Sequence, residues 1–224
     1  MKFIPDKFRV FLQFQRGLLI QYGWLRSWWK GRPVDRNGMP LPWITFPAID
    51  FLSQFDFSKA SVFEWGSGSS TLWWAKRCRK IVTVETNVSW VPYIKPLLPN
   101  NVVLLTPTFE REAEAAEIIK SECLFDVIVV DNHGPFRWRC AERAVDHLAT
   151  GGIIMVDNSD QCLRTTAILR NRGFCQIDFT GFIPGGGYAQ STSLFFRERI
   201  GFPLLAGDAP ARSVAQPNSP WEGC

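Results

Sequence analysis

SVFEWGSGSSTLWWA, residues Ser61 to Ala75, is the stretch whose reading decides the fold. Its apolar start reads as a buried strand. Gly66-Ser67-Gly68 follows as a turn, and Ser69 onward opens a helix. Glycines let the backbone turn sharply and let a ligand approach it closely. A dinucleotide pyrophosphate would rest on that helix N-terminus beside a third glycine, in the pattern G-x-G-x-x-G. Thr71 stands where the third glycine would be, and the Glu64 carboxylate precedes the turn by two residues. A negative charge at this place suits a cationic ligand better than a phosphate. The next strand, KIVTVE, closes on Glu85, at the roughly 20-residue spacing from which an acid reaches ribose hydroxyls.

Outward from this unit the chain alternates. ASVFEW, KIVTVE, NVVLLTP, FDVIVVD, GGIIMVDN, CQIDFTGF and TSLFFRER read as strands. Between them SSTLWWAKRC, the proline-interrupted NVSWVPYIKPLL, FEREAEAAEIIKS, FRWRCAERAVDHLAT and CLRTTAILRNRG read as helices. Runs such as IVTV, VVLL, VIVV and IIMV lack polar alternation, as strands covered on both faces do. The expectation is an α/β fold: a mostly parallel seven-stranded sheet between two helical layers, with an antiparallel last strand reached through the glycine-rich IPGGGYAQS.

Residues 1–42 are expected to form an N-terminal extension. Lys7 to Lys30 is an amphipathic, aromatic and basic helix, and GRPVDRNGMPLP a linker by composition. The helix would pack on the domain or on a second subunit, or lie on a membrane surface, and the first 40 residues could also serve as a substrate cover. Its longest uncharged run, Gly17 to Leu25, is too short to span a bilayer. Residues 43–200 form the main domain, and 201–224 read as a disordered tail.

A chain of 224 residues with 46% hydrophobic residues can bury a real core, and a net charge of +4 is too mild for a nucleic-acid binder. The six cysteines include no C-x-x-C pair, which argues against zinc and for free thiols in a reducing, cytoplasmic setting, at most peripheral to the inner face of a membrane.

VFEWGSGSST resembles the E/D-x-G-x-G first motif of the class I S-adenosylmethionine (SAM)-dependent methyltransferases. VTVE is similar to their acidic second motif, and IDF…TSLFFR to their antiparallel last strand. The likeness runs from about Trp43 to Arg199. It implies a three-layer Rossmann-like sandwich, with Glu64, Gly66, Ser67, Gly68, Ser70 and Thr71 at the methionine portion of SAM and Glu85 at the ribose. Thr108 and Phe109 neighbour the adenine, and Asp131 also faces the cofactor. Trp65 and Trp90 either flank the cofactor or pack in the core.

Two more strands end in acids, at Asp131 and at Asp157-Asn158. The three side chains converge above a parallel sheet, and hard oxygens suit Mg²⁺ or a similar divalent cation. The set resembles the metal triad of catechol and sugar O-methyltransferases. Asn132-His133-Gly134-Pro135 replaces the lysine that follows the first aspartate in the catechol enzymes, so His133, with Asp131, is the candidate for moving the acceptor proton. Asp131 and Asp157 could equally act without metal. Arg137 would hold an anionic group of the acceptor or pair with these acids, and Tyr188 sits in the glycine-rich loop above it. The function expected is O-methylation of a small molecule or glycan unit, by a chain that forms a homodimer or touches a membrane. An NAD(P) oxidoreductase and a catalytically silent SAM-binding scaffold are the alternatives.

Overall fold

The computed structural model describes residues 6–107, 112–121, 124–132, 136–205 and 213–215. Seven strands form one sheet: β1 (Ser61–Trp65), β2 (Lys80–Val84), β3 (Val102–Leu105), β4 (Phe125–Val130), β5 (Leu148–Val156), β6 (Cys175–Phe182) and β7 (Ala189–Phe196). Their order is β3-β2-β1-β4-β5-β7-β6. The first five are parallel, and β7 runs antiparallel between β5 and β6. The expected α/β sheet with its antiparallel last strand is present.

Alternate residues of the central strands feed two cores, as a doubly covered sheet requires. Val62, Ile81, Val127, Val129, Ile153, Met155 and Leu194 face α3 (Phe46–Leu52) and α4 (Ser69–Ala75). Phe63, Trp65, Val82, Val84, Ile128, Ile154 and Phe195 face the opposite layer, which contains α6 (Arg137–His147) and α7 (Leu163–Asn171). Three layers result.

Several local expectations are corrected. The segment FEREAEAAEIIKS is 3-10 helix over Glu112–Ser121. A three-residue repeat puts buried Ala116 and Ile119 on one side, and Arg143 of α6 grips the segment through Glu117 at 2.7 Å. The helix expected to continue through Leu148-Ala149-Thr150 stops at His147, because Leu148 pairs with Phe125 and extends β5 backward across a register shift. NVSWVPYIKPLL yields only one α-turn, α5 (Val91–Ile94), and a 3-10 turn at Lys95–Leu97.

The N-terminal helix is not continuous. Helix α1 (Asp6–Phe14) passes into a π-helical stretch, Gln15–Gln21, and a break at Gly23 precedes α2 (Trp24–Lys30). Gly23 has φ +77°, and a Cβ there would lie 2.5 Å from the Asp35 carbonyl carbon. The break therefore lets residues 34–36 fold back against the helix. Residues 31–42, a linker by composition, are a packed turn. Val34 is 1% exposed and bridges to Pro40. The buried Ser27 hydroxyl donates to the Val34 carbonyl at 2.8 Å, and its oxygen accepts the Val34 N–H at 3.0 Å. Leu18, Tyr22 and Trp24 pack on the α3/α4 core. At the other end, residues 201–205 are also held: Phe202 meets Phe57 at a ring separation of 4.6 Å, and Leu204 bridges to Phe55. The remainder of the expected tail, apart from 213–215, lies outside the described residues. Among the described residues no helix is long and apolar enough to cross a membrane.

Gly23→Ala combines left-handed backbone with a main-chain clash that flexible side chains cannot relieve, so it should cost about 1–3 kcal/mol. Urea denaturation monitored by tryptophan fluorescence measures this loss, and an unchanged midpoint would contradict the packed turn.

Candidate functional site

The strand order reverses direction of growth at β1, which lies between β2 and β4. In such sheets the carboxyl ends beside the reversal form a crevice. Here the backbone closes that end tightly. The Gly66 N–H donates to the Val84 carbonyl at 2.9 Å, and the Asp131 N–H to the Trp65 carbonyl at 3.2 Å. Gly66 has φ +102°, and a Cβ on it would sit 3.0 Å from the Asp131 carbonyl oxygen. Only glycine fits this turn without strain.

A cavity of about 450 Å³ opens above it, within the size range of small-molecule sites, roughly 300–1,000 Å³. The turn Gly66–Ser70 forms one wall, Glu85, Thr86, Asn87 and Trp90 a second, and Asp131 and Asn132 a third. Trp65, buried and donating its indole N–H to the Ala115 carbonyl at 2.9 Å, contributes to the floor. Gly31, Arg32, Pro33 and Trp43 also line the cavity. These four were missed in the sequence. Their glycine- and proline-rich context signals only a connection, and nothing local reports that it folds over a site 30 residues later.

Glu85 lines the cavity. Its Oε2 accepts from the Ser67 hydroxyl at 2.8 Å and the Ser67 N–H at 3.2 Å, and its Oε1 from the Asn87 N–H at 2.7 Å. Trp90 clamps the same turn, its indole N–H donating to the Ser67 carbonyl at 2.8 Å, while its ring remains 43% exposed.

Glu64 differs from the expectation. It is 0% exposed and does not line the cavity. Its carboxylate accepts from the Ser70 and Thr71 hydroxyls of α4 and, at 3.2 Å, from Thr83 of β2. Thr71 is equally buried, and its oxygen accepts the Gly68 N–H at 3.0 Å. The alternation of β1 puts Glu64 on the face that α4 covers, so it and Thr71 brace the turn from behind. Burial pushes the Glu64 carboxyl up to about 7, against the three hydroxyl bonds that favour its charged form and with some repulsion from Glu85.

Asp131 and Asp157 converge, but around a side-chain cation. Arg137, at the start of α6, donates from Nη2 to Asp131 at 2.9 Å and from Nε to the Asn132 carbonyl at 2.7 Å. Its Nη1 donates to the Asp157 carbonyl and to Asn158 Oδ1. Both oxygens of buried Asp157 are taken from β7, by Thr192 at 2.7 Å and Gln190 at 3.3 Å. Burial raises both carboxyls above the usual range; Arg137 pulls both down, and Asp131 further raises Asp157.

The expected triad Asp131, Asp157 and Asn158 therefore does not present a metal with open oxygens, and Arg137 fills the role of the cation. Among the described residues no group of three His, Cys, Asp or Glu side chains could hold a metal. Of Arg137's two expected roles, the geometry gives pairing with an acid, Asp131; towards Asp157 it reaches the main-chain carbonyl. Tyr188 is 64% exposed and not among the lining residues; its loop rests on α2, where the Trp24 indole N–H donates to the Gly186 carbonyl at 2.7 Å. Thr108, Phe109 and His133 lie outside the described residues.

No family model matches the chain, and no curated protein matches its sequence. Solved structures do share its fold. A candidate O-methyltransferase from Klebsiella pneumoniae is 16% identical over 88% of this chain and 92% of its own, with TM-score 0.56. Precorrin-6y C5,15-methyltransferase from Geobacter metallireducens is 12% identical over 68% of this chain and 87% of its own, with TM-score 0.55. SMU.1697c, a candidate methyltransferase from Streptococcus mutans in complex with SAH, is 12% identical over 68% of this chain and 98% of its own, with TM-score 0.50. The sheet order and the antiparallel β7 are those of the Rossmann-like methyltransferase fold.

A carboxyl held near 7 in the native state but near 4.5 when unfolded keeps its proton longer on the folded side. Stability from Glu64 is thus greatest in acid and declines as pH rises from about 4.5 to about 7, by up to about 3 kcal/mol. Glu64→Gln should flatten this decline and be at least as stable as the parent around pH 8. Urea midpoints collected across this pH window provide the measurement.

Proposed function

We propose that the chain is a SAM-dependent methyltransferase acting on a hydroxyl of a small molecule or glycan unit. The carrying observation is the Ser67–Glu85 pair at the mouth of the Gly66–Gly68 turn. A carboxylate that accepts a hydroxyl at 2.8 Å inside the cavity is already arranged for a ribose diol, which would take over the Ser67 bond. The electrostatics point the same way. Glu85 and Asp131 line the cavity, Glu64 lies behind its wall, and among the described lining residues Arg32 is the one lysine or arginine. A sulfonium and an ammonium suit that surface; a pyrophosphate does not.

The donor set fits SAM. Glu85 would hold the ribose, Trp90 and Trp43 would shield the bound nucleoside from water, and the backbone of Gly66–Ser70 would hold the methionine portion. When bound, SAM supplies an electrophilic methyl group on sulfur. Transfer then depends mainly on holding the acceptor oxygen in line behind that methyl. Asp131 lines the cavity, and burial raises its carboxyl towards the range in which it can take a hydroxyl proton. Arg137 positions Asp131 through their 2.9 Å ion pair. His133, one residue beyond Asn132, is a second candidate for the proton. Because Arg137 is wedged among the acids, the proton transfer is assigned to side chains rather than to a divalent ion.

Calorimetry should register S-adenosylhomocysteine but not NAD, with Glu85→Ala weakening uptake at least tenfold. In a radiolabel screen of hydroxylated acceptors, Asp131→Asn should lower kcat about 10²–10⁴-fold with smaller change in cofactor affinity, and EDTA should leave transfer intact. NAD uptake with indifference to S-adenosylhomocysteine would overturn the cofactor, and methylation on nitrogen or carbon the acceptor class.

A further inference from the structure

The N-terminal helices carry a surface that the body of the protein does not cover. Every residue from Lys7 to Phe14 is exposed. At about 100° per residue, Val10, Phe14, Phe11, Phe8 and Leu12 fall on one broad arc of α1 that also carries Lys7, with Arg9 and Gln13 opposite. The exposed apolar set continues along Ile20 and Leu25 to Trp28 and Trp29, which are 58% and 81% exposed. The side of this segment that does pack is a different one, formed by Leu18, Tyr22 and Trp24.

The charge around these side chains selects a partner. Between Asp6 and Asp35 there is no acidic residue, whereas Lys7, Arg9, Arg16, Arg26, Lys30 and Arg32 are all cationic. A two-fold contact between copies places the same patch on both sides. Such a contact would bring these cations together with no carboxylate from the segment between them. An anionic bilayer instead offers headgroups to the cations and a hydrocarbon boundary to Phe, Leu and Trp. We infer that α1, the π-helical stretch and α2 dock the protein on the surface of an anionic phospholipid membrane. The helices lie on the bilayer, since none of those described can span it. The chain then runs directly from Trp28-Trp29 into Gly31, Arg32 and Pro33 on the cavity wall, so docking would hold the cavity mouth close to the headgroups.

The test needs no enzymatic readout. The full chain is sedimented with phosphatidylcholine vesicles and with vesicles containing phosphatidylglycerol. Binding should be at least about tenfold greater on the anionic vesicles and should fall as salt is raised. Combined Trp28→Ala and Trp29→Ala should cut it about tenfold with little change in the thermal midpoint, because both side chains are more than half exposed. Lys30→Glu should weaken it in low salt only. Failure to bind anionic vesicles, equal binding to neutral ones, or retention by the Trp28/Trp29 variant would overturn the inference. So would a dimer seen by light scattering that Phe11→Glu dissociates.

Discussion

A carboxylate sealed away from water sets the shape of the whole site. Glu64 reaches α4 through Ser70 and Thr71 and β2 through Thr83, so one side chain fixes the strand, the turn and the helix that follow one another. Thr71 extends the bracing by accepting the Gly68 N–H, and Thr83 by sharing its single hydroxyl hydrogen between Glu64 and the Gly66 carbonyl. An uncompensated buried acid would be expelled or replaced; three hydroxyl donors make this one tolerable without making it favourable. The cost is borne at the turn that lines the cavity. It keeps the field behind the turn negative whenever the acid is ionised, and a field of that sign favours cationic over anionic guests.

The same crowding of acids recurs one strand further on and is resolved differently. Parallel strands deliver Asp131 and Asp157 to neighbouring positions whether or not a ligand is there. Two like charges at reduced solvation need a counter-charge. A guanidinium answers with a rigid fork that spans several acceptors at once, and Arg137 uses it on Asp131, Asn132, Asp157 and Asn158. A hard metal ion would need those oxygens free and near-regularly arranged. Thr192 and Gln190 of β7 have already committed Asp157.

What could be read from residues alone follows from this physics. The strands were legible because burial on both faces leaves unbroken apolar runs such as VIVV, and the acids because each falls where a run ends. Glu85 was legible for a further reason: its spacing from the glycine turn is fixed by one helix and one strand. The orientation of Glu64 was less so. Strand periodicity gives its face, but whether that face is open or covered depends on α4 lying over it. Arg137 was ambiguous because a helix-start arginine is compatible with solvent, acceptor or acid until the strand ends are placed. Glu112–Ser121 carries the composition of an α-helix, and its buried Ala115, Ala116 and Ile119 combine three- and four-residue spacings, so the residue pattern does not distinguish the tighter winding. Arg32 and Trp43 gave no signal, since their position over the cavity depends on a turn closed by Ser27 and Val34 in tertiary structure.

Residues 7–43 carry two sets of side chains with different surroundings, and the division is physical. Ser27, Val34 and the left-handed Gly23 hold residues 31–43 against the body, where Arg32, Pro33 and Trp43 help enclose the cavity. Phe8, Phe11, Trp28 and Trp29 are instead more than half exposed. Removing the segment as a block would therefore open the cavity wall and strip the exposed surface together, and no readout could tell the two losses apart. Substitutions at solvent-facing aromatics avoid this, because their unfolded and folded environments are nearly alike in hydration. A surface that costs the isolated fold little to change, yet concentrates aromatic and cationic groups beside the cavity, is the observation on which the inferred membrane contact rests.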